Sequence, residues 1–127
     1  MHQDDISFLI RKAIFSVYHA LGPGLHPSVY IRELHLELEK LGLHVDPDLL
    51  VLMKEEGENT GAGCRVDMLV NGKVIIEVKS VNEILGFHCN QVLPYLHLSS
   101  VRPVILVNFN TNQIARSIRR LDRKSVV

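Results

Sequence analysis

Arg65-Val66-Asp67-Met68-Leu69-Val70-Asn71-Gly72-Lys73-Val74-Ile75-Ile76-Glu77-Val78-Lys79 is the segment from which the architecture can be read. Val66, Met68 and Val70 alternate before Asn71-Gly72, and Val74, Ile76 and Val78 alternate after it, which describes two strands of a hairpin. A two-residue type I′ turn at Asn71-Gly72 would pair Val70 with Lys73 and split the apolar set between the two faces. A loop with an odd number of residues, for example three with Gly72 left-handed in a G1 bulge, gathers all six onto one face. A one-residue slip turns every side chain over, so burial at roughly 1.5–3 kcal/mol per large side chain selects the odd loop.

That register has a chemical consequence. The opposite face collects Arg65, Asp67, Leu69, Ile75, Glu77 and Lys79, with Asp67 across from or diagonal to Glu77. Glu77 and Lys79 are separated by roughly 6.7 Å along one strand. Two converging carboxylates repel each other unless a cation offsets the repulsion. Asp67, Glu77 and the backbone carbonyl of Val78 offer hard oxygen ligands suited to Mg²⁺ or Mn²⁺, with Lys79 as the catalytic cation beside them. Such a set suits hydrolysis of phosphodiesters.

Outward from the hairpin, Ile6, Leu9, Ile10, Ala13, Ile14, Val17, Ala20 and Leu21 follow helical spacing, with Asp4 or Asp5 available as N-cap. Gly22-Pro23-Gly24 ends that helix. A second helix is expected from Pro27 to Leu41, burying Ile31, Leu34, Leu38 and Leu41, with Gly42 as its stop. Val45–Lys54 reads as a strand that begins after Pro47, and Glu55–Gly63, with three glycines, as an exposed loop. Leu85–Ser99 is helix-like with Leu93 and Leu96 as core candidates, and Val104–Phe109 is a fully buried strand. The tail from Gln113 reads as a strand then a helix, or as one basic helix. The expected class is α/β (α+β), helices flanking a central mixed sheet in the order α-α-β-β-β-α-β, as one domain over residues 1–127.

The chain has 127 residues, is 46% hydrophobic and carries zero formal net charge, which excludes wholesale disorder and a histone-like basic binder. No apolar run reaches the length of a membrane span, and Met1-His2-Gln3-Asp4-Asp5 lacks a basic leader, so a cytoplasmic protein is expected. Cys64 and Cys89 form no CxxC pair and read as packing residues.

Asp67 followed after nine residues by Glu77-Val78-Lys79 resembles the PD-(D/E)XK nuclease superfamily. Gly22-Pro23-Gly24 through Tyr30, the Arg65-Val66-Asp67 strand, the Glu77-Val78-Lys79 strand, and His88 followed by Gln91 and Tyr95 resemble its small bacterial GxxExxY proteins, over roughly residues 6 to 121. Gln91-x-x-x-Tyr95 is also shared with RecB-like nucleases. The resemblance implies a nuclease core of the same element order, Mg²⁺ or Mn²⁺ as cofactor, and nucleic acid as substrate, DNA favoured over RNA.

In the family motif Gly24 and Tyr30 match the ends, but Pro27 stands where the Glu belongs. His26 is a candidate substitute ligand, with Glu33 and Glu37 as weaker ones. Gln91 and Tyr95, one helical turn apart, fit either a substrate contact or an ordinary i, i+4 pair. His88 fits a phosphate contact or a helix cap. Arg116, Arg119, Arg120, Arg123 and Lys124 fit either a solvated face or phosphate contacts. Pro27 also motivates an alternative, a catalytically weakened nuclease fold that binds nucleic acid or a protein. A homodimer is a further expectation, since a domain this small covers little substrate alone.

Overall fold

The structure is a computed structural model that describes residues 1–55, 58–82 and 102–121, with side chains described outside 51–64. Helix α1 (Gln3–Leu21) buries Ile6, Ile10, Ala13, Ile14 and Val17 along one stripe, as the spacing requires. Its N-cap is His2 rather than Asp4 or Asp5. The His2 ring accepts the Asp4 N–H (3.0 Å) and the Asp5 carboxylate accepts the His2 N–H (3.2 Å), a reciprocal box that leaves both acids in the first turn. Helix α2 (Pro27–Lys40) has Pro27 at its first position and buries Tyr30, Leu34 and Leu38. Ile31 and Leu41 are only partly buried, and Leu41 is the C-cap, followed by Gly42 at φ +83°.

The helices pack on one side of a five-stranded mixed sheet of order β1-β2-β3-β4-β5, formed by β1 (Val45–Glu55), β2 (Glu58–Val70), β3 (Val74–Lys79), β4 (Val104–Asn108) and β5 (Ile118–Leu121). Among the described residues only the β3–β4 pair is parallel. A parallel pair requires a crossover, which here runs through residues 80–103. The helix expected at Leu85–Ser99, with Cys89, Leu93 and Leu96, lies outside the described residues.

Two expectations are corrected, and of the two readings of the tail the single basic helix is excluded. β1 begins at Val45, before Pro47, because β1 is an edge strand where a missing N–H is tolerated. The glycine-bearing segment expected as a loop is largely strand, since β1 reaches Glu55 and β2 starts at Glu58. The tail forms a short 3₁₀ turn (Ile114–Ser117) and then β5, which supplies the hydrogen-bonding partner that Val104–Val107 would otherwise lack on that side.

Val70 pairs with Val74, Leu69 with Ile75 and Met68 with Ile76, so the hairpin loop holds three residues, as burial demanded. Asn71 (φ +52°) and Gly72 (φ +66°) are both left-handed and the Lys73 N–H donates to the Val70 carbonyl (3.0 Å), so the Asn-Gly turn keeps type I′ central residues while Lys73 supplies the extra residue. Met68, Val70, Val74, Ile76 and Val78 enter the core beneath the helices. Val66, expected on that same face, is instead buried in a separate cluster with Leu69, Ile75 and Val104.

Tyr30 ties the helices to the sheet. Its buried ring stacks on Phe109 at 4.2 Å, nearly parallel. Its hydroxyl donates to the Gly22 carbonyl (2.6 Å) and accepts the Leu25 N–H (3.1 Å), satisfying two groups exposed by the Gly22-Pro23-Gly24 turn. Among the described residues no helix is long and apolar enough to cross a membrane.

Candidate active site

The β2–β3 ladder runs to Met68↔Ile76, and Asp67 and Glu77 face one another just beyond it. Their carboxylates cross between the strands. Asp67 Oδ2 accepts the Val78 N–H at 2.7 Å, and Glu77 Oε1 accepts the Asp67 N–H at 3.2 Å. Each acid is therefore aimed by the backbone of the opposite strand, and both lie in one partly buried space.

Electrostatics follow from that placement. Burial pushes the Glu77 carboxyl up to about 7, Asp67 adds to the rise by repulsion, and the Asp67 N–H and the Lys79 ammonium oppose it. Burial also raises Asp67, against the Val78 N–H and Lys79, while Asp48 adds to the rise. Lys79 thus stands close enough to both acids to stabilise their charge. A site in which two acids resist ionisation beside one amine gains from a further cation.

Lys79 is held by its neighbours. It pairs with Asn108 in the parallel register, and its carbonyl accepts the Phe109 N–H at 2.9 Å. Asn108 is buried, and its amide closes a two-way link to Val81: Oδ1 accepts the Val81 N–H (3.0 Å) and Nδ2 donates to the Val81 carbonyl (2.9 Å). Asn110 adds a donation to the same carbonyl at 3.3 Å. The chain leaving Lys79 is fixed by these amides.

Arg65 is exposed and turned to Asp48, contacting its carbonyl (3.1 Å) and carboxylate (3.3 Å). Asp48 has φ +46° and falls opposite Asp67, between the Pro47↔Met68 and Leu49↔Val66 pairs. Sequence reading missed this acid, because its place beside Asp67 depends on the β1–β2 register.

His26 is the N-cap of α2, its Nδ1 accepting the Ser28 N–H (3.2 Å) and lying 2.8 Å from the Ser28 hydroxyl. Glu37 accepts the Ser16 hydroxyl (3.3 Å) and faces α1. Among the described residues no three His, Cys, Asp or Glu side chains form a group able to hold a metal. Asp67, Glu77 and the Val78 carbonyl would leave an ion's remaining positions to water and substrate, which suits Mg²⁺ better than an all-protein cage.

Arg120 pairs with Asp4 at 2.9 Å, and its partner across the strands is Ile105, on the helix side of the sheet. Arg119 is opposite Leu106, whose parallel partner is Glu77, so it shares the acids' side. Arg116 lies on the 3₁₀ turn, so the three arginines do not form one stripe. His88, Gln91, Tyr95, Arg123 and Lys124 lie outside the described residues.

No curated protein and no solved structure matches the chain. A family model described as PD-(D/E)XK nuclease superfamily matches residues 4–121, spanning both helices, all five strands, the paired acids and Lys79. The chain therefore belongs to the PD-(D/E)XK nuclease superfamily.

Proposed function

We propose that this protein is a divalent-metal-dependent nuclease of the GxxExxY type, with RecB-like features, that hydrolyses phosphodiester bonds in nucleic acid, DNA by preference, in the cytoplasm. The reading rests above all on Asp67 and Glu77, partly buried, crossed between two strands, and reluctant to ionise without a cation. Asp67, Glu77 and the Val78 carbonyl are assigned as ligands of Mg²⁺ or Mn²⁺, with His26 a further candidate through its ring. When bound, the ion supplies Lewis-acid withdrawal of phosphoryl charge and a more acidic water. Lys79 Nζ stabilises the negative charge that develops on the phosphoryl oxygens during attack. Gln91, Tyr95, His88, Arg116 and Arg119 are assigned to substrate contacts, whereas Arg120, paired with Asp4 on the helix side, is not. The whole chain is read as one domain that pairs into a homodimer, which sedimentation tests.

Cleavage of labelled single- and double-stranded DNA in Mg²⁺ or Mn²⁺, compared between wild type and Lys79→Ala, is the direct test. Loss of cleavage in the variant with unchanged melting temperature supports the assignment, and equal activity overturns it.

A second reading is favoured by one observation. Pro27 occupies the first position of α2 where the family motif carries Glu, and only two acids plus a carbonyl are assigned to the ion. A catalytically weakened module that binds nucleic acid or a protein fits that loss. Calorimetric titration separates the two, since absence of Mg²⁺ and Mn²⁺ binding at millimolar concentration favours the weakened module.

A further inference from the structure

A polar cleft of about 470 Å³ lies next to the Lys79 strand end. It is lined by Asn82, three residues past Lys79, by Asn110, Thr111, Asn112 and Gln113 from the segment after β4, by Arg116, and by Pro23 of the Gly22-Pro23-Gly24 turn. Its chemistry is one-sided. Among the described residues no carboxylate lines it, four of the side chains are amides, and the one charge is a guanidinium. Amides offer paired donors and acceptors suited to the edge of a nucleobase, and an arginine suits a phosphate. Pro23 supplies an apolar ring against which a base can lie.

The backbone of this wall is fastened while its recognition groups are left over. Tyr18 donates its hydroxyl to the Thr111 carbonyl (2.5 Å), the Asn110 N–H donates to Asn108 (3.2 Å), and the Gln113 N–H donates to the Thr111 hydroxyl (3.0 Å). Asn110 Nδ2 also reaches Asn82 at 3.4 Å, joining the wall to the segment that leaves Lys79. Among the described residues, the side chains of Asn112 and Gln113 make no hydrogen bond and Arg116 makes no ion pair. A fastened frame carrying unspent polar side chains needs little ordering to bind.

We infer that this cleft receives one unstacked nucleotide of the substrate strand, its base edge on Asn112 and Gln113 and its phosphate on Arg116, with Asn110 holding the wall to the segment that leaves Lys79. The inference builds on the nuclease reading and narrows it: the strand must be single or locally opened, because a base within a duplex cannot enter a pocket.

The test measures binding of a labelled single-stranded DNA oligonucleotide, on the order of a dozen nucleotides long, in Ca²⁺ and separately in EDTA, with cleavage in Mn²⁺ followed in parallel. Arg116→Ala and the Asn112→Ala/Gln113→Ala double variant are compared with wild type and with Lys12→Ala, an exposed cation of α1 outside the cleft. The expected result is at least a roughly tenfold loss of affinity in both cleft variants, a change within about twofold for Lys12→Ala, and unchanged melting temperatures. Cleft variants that bind like Lys12→Ala overturn the inference even where cleavage is robust, as does a wild type that binds no oligonucleotide. If the cleft variants lose affinity while wild type cleaves nothing, the cleft assignment stands and the nuclease reading fails.

Discussion

Replacing Glu77 by Gln in chelator isolates what the buried acid costs the fold. In the native chain its carboxyl is raised from 4.5 to about 7. At 1.36 kcal/mol per unit, ionising it in the folded protein is disfavoured by roughly 3 kcal/mol relative to the unfolded chain, an upper figure for a partly buried group. Because the folded state holds the proton more tightly, this group's contribution to stability is complete below about pH 4.5 and falls away as pH rises to about 7. Glu77→Gln keeps an oxygen to accept the Asp67 N–H and removes the charge. At about pH 8 the variant should therefore be more stable than wild type by about 1–3 kcal/mol, or several degrees in melting temperature for a chain of this length. At about pH 5, where the native carboxyl is mostly protonated, the two should melt within roughly 2 °C. Calorimetric melting in EDTA at both pH values reads this directly. A variant equal to or weaker than wild type at the higher pH would refute the reasoning, because Glu77 would then not be a costly charge.

Other outcomes follow from the same geometry. Tyr30→Phe leaves the Gly22 carbonyl and the Leu25 N–H without their partner while keeping the stack on Phe109, and should cost about 1–3 kcal/mol in denaturant melts. Gly72→Val places a β-branched residue at φ +66° with no atom within 4 Å of the new Cβ, so any destabilisation, about 1–2 kcal/mol, arises from backbone strain and not from a clash. Asn108→Leu unpins Val81 and should lower stability by about 1–3 kcal/mol, with a fall in cleavage measured on labelled DNA. Asp67→Asn should abolish Mn²⁺ binding by calorimetry while leaving the circular dichroism spectrum unchanged.

The parts of the fold legible in the sequence are those governed by periodicity. The helical stripe of Ile6, Ile10, Ile14 and Val17 and the odd hairpin loop are both burial arguments, and burial outweighs a few tenths of a kcal/mol of turn preference. The facing of Asp67 and Glu77 followed from that loop. Features that depend on which strands become neighbours were not legible. Pro47 reads as a strand start because nothing local says that β1 is an edge, and the glycines at positions 61 and 63 read as loop because their strand propensity is weak, which pairing along β1 overrides. Ile118 and Leu121 fit a helix as well as a strand, and only the open side of β4 decides between them. Asn108 gave no periodic signal at all, since its role lies in hydrogen bonds to Val81 across the crossover.

The extra residue Lys73 also constrains how this hairpin can vary. Losing or gaining one residue between Val70 and Val74 would send the acids of one strand toward the helices and its valines toward solvent, whereas a change of two preserves both faces. Length variation in this turn among functional descendants or engineered versions should therefore come in even steps, so the loop's parity is inherited together with the chemistry it orients.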